Sequence, residues 1–212
     1  MVRILLLAIV LLGSFAHGQL ARGSVSMLDD FFSNTQTLKA TFTQRVVDES
    51  GMTLDAAGGT VYLSRPGKFR WDYFLPGSET HLSQQILADG KSIYVYDPDL
   101  EQVTQRSLEN ALTQIPSLSL VASKATLEEH FESIDVGLTD GVSWVILRPK
   151  SADAGFRQLM IGFSDSVLSD IILYDALGNE TKLQLRAVES NPKLSTETFT
   201  LKVPDATDIL VQ

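Results

Sequence analysis

From residue 37 to the end, apolar and polar residues alternate with a period of two in many short runs. Successive side chains of a strand leave opposite faces of its sheet, so this period marks half-buried β-structure. In 37–46, Leu38, Ala40 and Phe42 alternate with Lys39, Thr41 and Thr43. Similar runs fall at 60–64, 68–75, 85–88, 92–96, 101–106, 132–138, 142–147, 157–163, 169–174 and 181–188, and Phe199, Leu201 and Val203 alternate near the end. Turn-forming residues separate them: Arg65-Pro66-Gly67, Asp89-Gly90, Asp97-Pro98-Asp99, Asp140-Gly141 and Gly178-Asn179. Gly51 and Gly58-Gly59 bracket what reads as an irregular link. About ten to eleven strands at this spacing suit a sandwich or a barrel.

Two regions break the period. Residues 25–34 carry Leu28, Phe31 and Phe32 at the i, i+3, i+4 spacing of an amphipathic helix. In 107–121, Leu108, Ala111, Leu112 and Ile115 share a helical face, Pro116 ends it, and Leu118, Leu120 and Val121 make a second apolar piece. Thr126 and Glu129 then have capping-box spacing.

Residues 1–18 are of another kind. Arg3 is the only charge, 4–13 is an unbroken apolar run, and Ala16 and Gly18 stand at the third and first positions before Gln19. This is the layout of a secretory signal peptide, and the run is about half the ~20 residues that span a bilayer. The expected organisation is a cleaved signal peptide, 1–18, and one exported domain, 19–212. The chain has no cysteine, so its core must hold it together without disulfides. That absence also excludes a thiolate zinc site, a cysteine nucleophile and a lipid anchor on its own N-terminus. A formal charge of −9 repels phosphate backbones and anionic lipid, so no nucleic-acid partner is expected.

Signatures of catalysis are missing. His81 and His130 are far apart, and no H-E-x-x-H, G-x-S-x-G or Gly-rich phosphate loop occurs. Asp97, Asp99 and Glu101 lack the full spacing of a calcium loop and read as a solvated turn. Glu128, Glu129 and Glu132 read as a solvated face. No catalytic residue, metal site or cofactor is expected, although a pair of acid/base carboxylates leaves no sequence trace.

The apolar content is 44%. In 68–73, Phe69, Trp71 and Tyr73 face one side and Lys68, Arg70 and Asp72 the other. An aromatic face of this kind is either ordinary sheet core or the wall of a pocket. A curved antiparallel sheet under a helical lid uses all these features, with an apolar pocket where the lid fills the sheet incompletely.

Residues 64–106 resemble the outer-membrane lipoprotein carrier protein family, LolA. Four motifs carry the likeness in order: Arg65-Pro66-Gly67, Phe69-Arg70-Trp71-Asp72-Tyr73, Ala88-Asp89-Gly90 and Tyr96-Asp97-Pro98-Asp99-Leu100-Glu101-Gln102-Val103-Thr104. Ala40-Thr41-Phe42-Thr43-Gln44 resembles the family's first strand and Phe199-Thr200-Leu201-Lys202-Val203-Pro204 its last. Tyr94, the Pro116-Ser-Leu-Ser-Leu segment and the short C-terminus depart from the pattern. The resemblance implies a mainly β fold: an incomplete antiparallel barrel with short helices forming a lid over an apolar cavity. It implies a monomeric periplasmic chaperone with no enzyme activity. Such a carrier takes acylated lipoproteins from an inner-membrane ABC transporter of the LolCDE type to an outer-membrane receptor or insertion site. It implies Arg65 as a latch on lid carbonyls, Phe69, Trp71 and Tyr73 at the acyl-chain cavity, and Leu28, Phe32, Leu112, Ile115 and Leu118 in the lid. A lipid- or lipoprotein-sensing module of the same half-barrel fold is the alternative. A carboxylate-dependent hydrolase would need acids clustered in the pocket.

If residues 1–18 are a signal peptide, the protein recovered from the periplasm will begin at Gln19. Mass spectrometry of the intact chain checks this, and a species that keeps Arg3 would refute it.

Overall fold

The computed structural model describes residues 23–108, 123–152 and 154–212. The second helical region of the sequence therefore lies outside the described residues from 109 on, and with it Leu112, Ile115 and Leu118. Twelve strands form one sheet: β1 (Thr37–Val47), β2 (Thr53–Ser64), β3 (Lys68–Phe74), β4 (Leu82–Asp89), β5 (Ser92–Asp97), β6 (Gln102–Ser107), β7 (Phe131–Thr139), β8 (Val142–Pro149), β9 (Phe156–Ser164), β10 (Val167–Asp175), β11 (Glu180–Ser190) and β12 (Asp208–Val211). Helix α1 is Ser24–Asn34 and α2 is Lys124–His130. The strand order is β12-β6-β5-β4-β3-β2-β1-β11-β10-β9-β8-β7, and β7 and β12 do not pair, so the sheet is unclosed.

Alternation works as the sequence implies. Leu38, Ala40 and Phe42 of β1, Val61 and Leu63 of β2, Phe69 of β3, Val145 and Leu147 of β8 and Leu159, Ile161 and Phe163 of β9 are buried in one cluster. Leu28 and Phe32 of α1 join it, so this helix covers the concave face. Its N-terminus has no capping side chain of its own. Asp135 of β7 supplies one: it accepts from the Ser24 hydroxyl and from backbone N–H groups of Ser24 and Val25, which hold its carboxyl below the usual range. At the other end the Asn191 side chain donates to the Asn34 carbonyl at 2.8 Å and accepts from Gln36 N–H at 2.8 Å.

A second, smaller core lies on the convex face. Leu87, Tyr96 and Val103 are buried there, outside the main cluster. The 3-10 turn Thr196–Phe199 packs on β3 and β4 and buries Phe199. Beside it Arg70 Nε donates to Asp72 at 2.8 Å, Gln85 Nε2 donates to Asp72 at 2.7 Å, and Arg70 Nη1 donates to the Thr198 carbonyl at 3.5 Å. Asp72 is only 4% exposed, so these partners offset the cost of burying its charge.

Four local expectations change. The Gly58-Gly59 pair does not end a link but runs inside β2. Gly59 is needed there because a Cβ would stand 1.7 Å from the Asp72 carbonyl oxygen. The cap of α2 is Ser123, which accepts from Thr126 N–H, so the helix starts before the Thr126–Glu129 pair. Phe199, Leu201 and Val203 do not form a strand; Phe199 ends the 3-10 turn. The last strand is instead β12, and it pairs parallel with β6, whereas the other neighbours are antiparallel.

Replacing Gly59 by Ala should cost about 3 kcal/mol, because a backbone carbonyl cannot move aside as a side-chain end can. The urea midpoint should fall with the slope unchanged; an unaltered midpoint would contradict the tight β2–β3 approach.

Candidate functional site

Between α1 and the concave face lies a partly open cavity of about 210 Å³. Leu28 and Phe31 line it from the helix, Trp71 from β3, and side chains of β1, β2, β9, β10 and β11 close it. Thr181 is the only polar residue among the described residues lining it. Among them no carboxylate, His or cation faces this space. Such a site offers apolar contact and excludes water, and suits an aliphatic ligand.

The three aromatics of β3 have different surroundings. Phe69 is 2% exposed, packed in the core, and does not line the void. Trp71 lines it, and its indole N–H is buried without a hydrogen-bond acceptor. Tyr73 lines a second space, an open groove of about 1050 Å³ beside β2. The Phe42 ring stands between them, edge-on at 5.4 Å from Trp71 and 5.2 Å from Tyr73. Burial, helped by the Asp55 charge, pushes the Tyr73 hydroxyl up to about 12, and it donates to Gln44 Oε1 at 3.2 Å.

Arg65 sits at the turn between β2 and β3, below the C-terminal end of α1. Its guanidinium lies 4.3 Å from the Phe32 ring centre and 5.1 Å from that of Phe31. Its Nε donates to the Thr35 carbonyl at 3.1 Å. Burial pulls it down to about 10, so it remains charged at neutral pH. Cation–π contacts of this kind contribute about 0.5–2 kcal/mol each. The arginine thus holds the end of α1 through two rings and one carbonyl.

Phe31 and the β9–β11 wall are site residues that the sequence reading did not single out. Phe31 was legible from its helical spacing. The wall residues, such as Ile161, Ile171 and Leu183, carry the same alternation as any core strand and no signal of their own.

Among the described residues no group of three or more His, Cys, Asp or Glu is placed to hold a metal ion, and no helix is long and apolar enough to cross a membrane. An unclosed sheet, antiparallel except for β12 and curled under a helix beside an apolar cavity, defines a half-barrel. Residues 33–202 match the family model described as outer membrane lipoprotein carrier protein LolA. An outer-membrane lipoprotein carrier protein of Azotobacter vinelandii is 38% identical over 208 residues, 98% of this chain and 97% of its own. One of Dechloromonas aromatica is 36% identical over 188 residues, 89% and 88% of the two chains. The chain belongs to the LolA outer-membrane lipoprotein carrier family. An uncharacterized conserved protein from Thermus thermophilus shares the fold, with a TM-score of 0.56 at 14% identity over 89% of this chain and 99% of that one.

Tyr73 makes stability depend on alkaline pH. Its folded value of about 12 lies above the ordinary 10, so the unfolded chain ionises first. Its contribution is full below pH 10 and is lost as pH rises towards 12, about 2–3 kcal/mol in all. Tyr73→Phe should remove that part of the alkaline loss. Identical stability–pH curves for the two proteins between pH 10 and 12 would contradict the buried phenol.

Proposed function

We propose that this chain is a periplasmic chaperone for lipoproteins. It binds the acyl chains of lipoproteins released from the inner membrane by an ABC transporter of the LolCDE type. It carries them through the periplasm and delivers them to an outer-membrane receptor or insertion site. Residues 1–18 direct export and are removed. The observation that carries this reading is the cavity under α1, apolar except for Thr181 among the described residues, in a chain of the carrier family.

The magnitudes favour a carrier whose cavity opens. Each buried methylene contributes about 0.8 kcal/mol, so three chains of about fourteen methylenes would gain roughly 30 kcal/mol if wholly buried. Non-covalent affinity saturates near about 18–21 kcal/mol. A carrier must also release its cargo, so burial has to be partial and opening has to cost free energy. The small volume of the cavity, about 210 Å³, fits that account. It is only somewhat larger than the ~150 Å³ void that takes one benzene. Whole acyl chains therefore need more room, which movement of α1 off the sheet supplies. Arg65 is the latch in this proposal, since it holds Phe31, Phe32 and the Thr35 carbonyl at one end of that helix. Leu28 and Phe31 are the lid side chains, Trp71 lines the cavity from below, and Phe69 packs in the core beside it.

Replacing Arg65 by Leu keeps the apolar contact and loses the charge and the hydrogen bond. The variant should fold, with thermal unfolding lowered by only a few degrees. Its transfer of a purified lipoprotein from inner-membrane vesicles to an outer-membrane acceptor should fall several-fold. Wild-type loading and unloading rates would remove the latch.

A further inference from the structure

Strand β2 is paired unevenly. Its residues 53–64 pair with β1, but β3 joins only from Gly59, opposite Tyr73, to Ser64, opposite Lys68. Beyond Tyr73 the β3 strand turns away: Phe74 pairs with Leu82, and Leu75 N–H donates to the His81 carbonyl at 2.9 Å. Residues 53–58 are therefore a free edge in the middle of the sheet order, about 20 Å long at strand rise. Among the described residues no strand covers it.

This edge borders the open groove of about 1050 Å³. The opposite wall is the β3–β4 connection, with Leu75, Pro76, Ser78 and Glu79. Ala56, Ala57 and Gly58 are small, so the backbone is accessible from the groove. The floor is Phe42 and Tyr73, and Phe42 touches Trp71, which lines the apolar cavity. The Phe42 and Trp71 rings, in contact with each other, thus stand between cavity and groove. The two spaces differ in chemistry. Among the described residues the cavity has one polar residue, whereas the groove carries Thr41, Thr43, Gln44, Asp55, Gln84 and Arg186. An acyl chain gains less in this open, half-polar groove than in the cavity, while a polypeptide backbone finds N–H and C=O groups of the strand edge aligned for a ladder.

We propose that residues 53–58 of β2 receive, as an added strand, the extended polypeptide that follows the acylated residue of a bound lipoprotein. This rests on the carrier reading above. With α1 moved off the sheet, the acyl chains occupy the cavity on one side of Trp71 and Phe42, and the peptide leaves along the groove on the other. Main-chain pairing recognises any extended sequence, so one carrier accepts cargoes with unrelated N-terminal sequences.

Two synthetic probes test this with the intact mature protein. One is a diacylglyceryl-cysteine amide. The other is the same lipid followed by six Ser and Asn residues. The lipopeptide should bind about tenfold tighter, which two or three net hydrogen bonds supply. It alone should slow amide exchange at 53–58. Two further probes carry N-methyl groups on odd or on even peptide bonds. Alternate residues face a neighbouring strand, so one set should abolish the advantage and the other keep it. Equal affinity of lipid and lipopeptide overturns the proposal and leaves the carrier reading standing. An advantage that survives both methylations, or is lost with both, also overturns strand pairing. Failure of every probe to bind overturns the carrier reading and this proposal together.

Discussion

A sheet of twelve strands that curls without closing exposes an apolar concave face larger than one short helix can fill. Everything else in the molecule follows from that mismatch. Helix α1 has 11 residues, about 16 Å of length, and it lies over the face with Val25, Met27, Leu28, Phe31 and Phe32 to offer. Side chains close-pack around Phe32 and Phe163 but fail to meet between Phe31, Trp71 and Ile161. An apolar pocket among the described residues is the result. In most proteins a gap of this size is a defect that costs stability. Here it is the space proposed above for acyl chains.

Besides the apolar packing of Leu28 and Phe32, polar contacts hold the helix at its two ends. Asp135 caps the first turn from β7, and Arg65 and Asn191 hold the last turn from β2 and the loop after β11. Polar contacts at the ends fix the position of a helix without filling the space beneath it. They also break one at a time, unlike a packed seam. Lys124 adds a bridge to Asp29 at 2.8 Å, but both groups are well exposed and the pair contributes little.

Much of this was legible in the residues. Alternation located the strands, Asp89-Gly90 located a hairpin, and the spacing of Leu28, Phe31 and Phe32 located α1. Three features were not legible, each because the deciding partner is distant in sequence. Gly58-Gly59 reads as a break until the Asp72 carbonyl is seen to pass within a Cβ's reach. The cap of α1 belongs to a residue 111 positions away. The C-terminal Phe199 alternates like a strand residue, yet burial on the outer face against β3 and β4 wins over local pattern. For the site, the sequence singled out the β3 aromatics as a group. It had no means to separate Phe69 in the packed core from Trp71 at the void, since their parity is the same.

The convex core around Leu87, Val103 and Phe199 has its own meaning for the cavity. A half-barrel whose only apolar packing was concave would begin to unfold whenever its lid lifted. In this chain part of the cohesion sits behind the sheet, beside the Arg70–Asp72 pair and away from the apolar cavity. That packing does not depend on what fills the front. The rear face works as a keel: it keeps the frame rigid while the interior is exchanged.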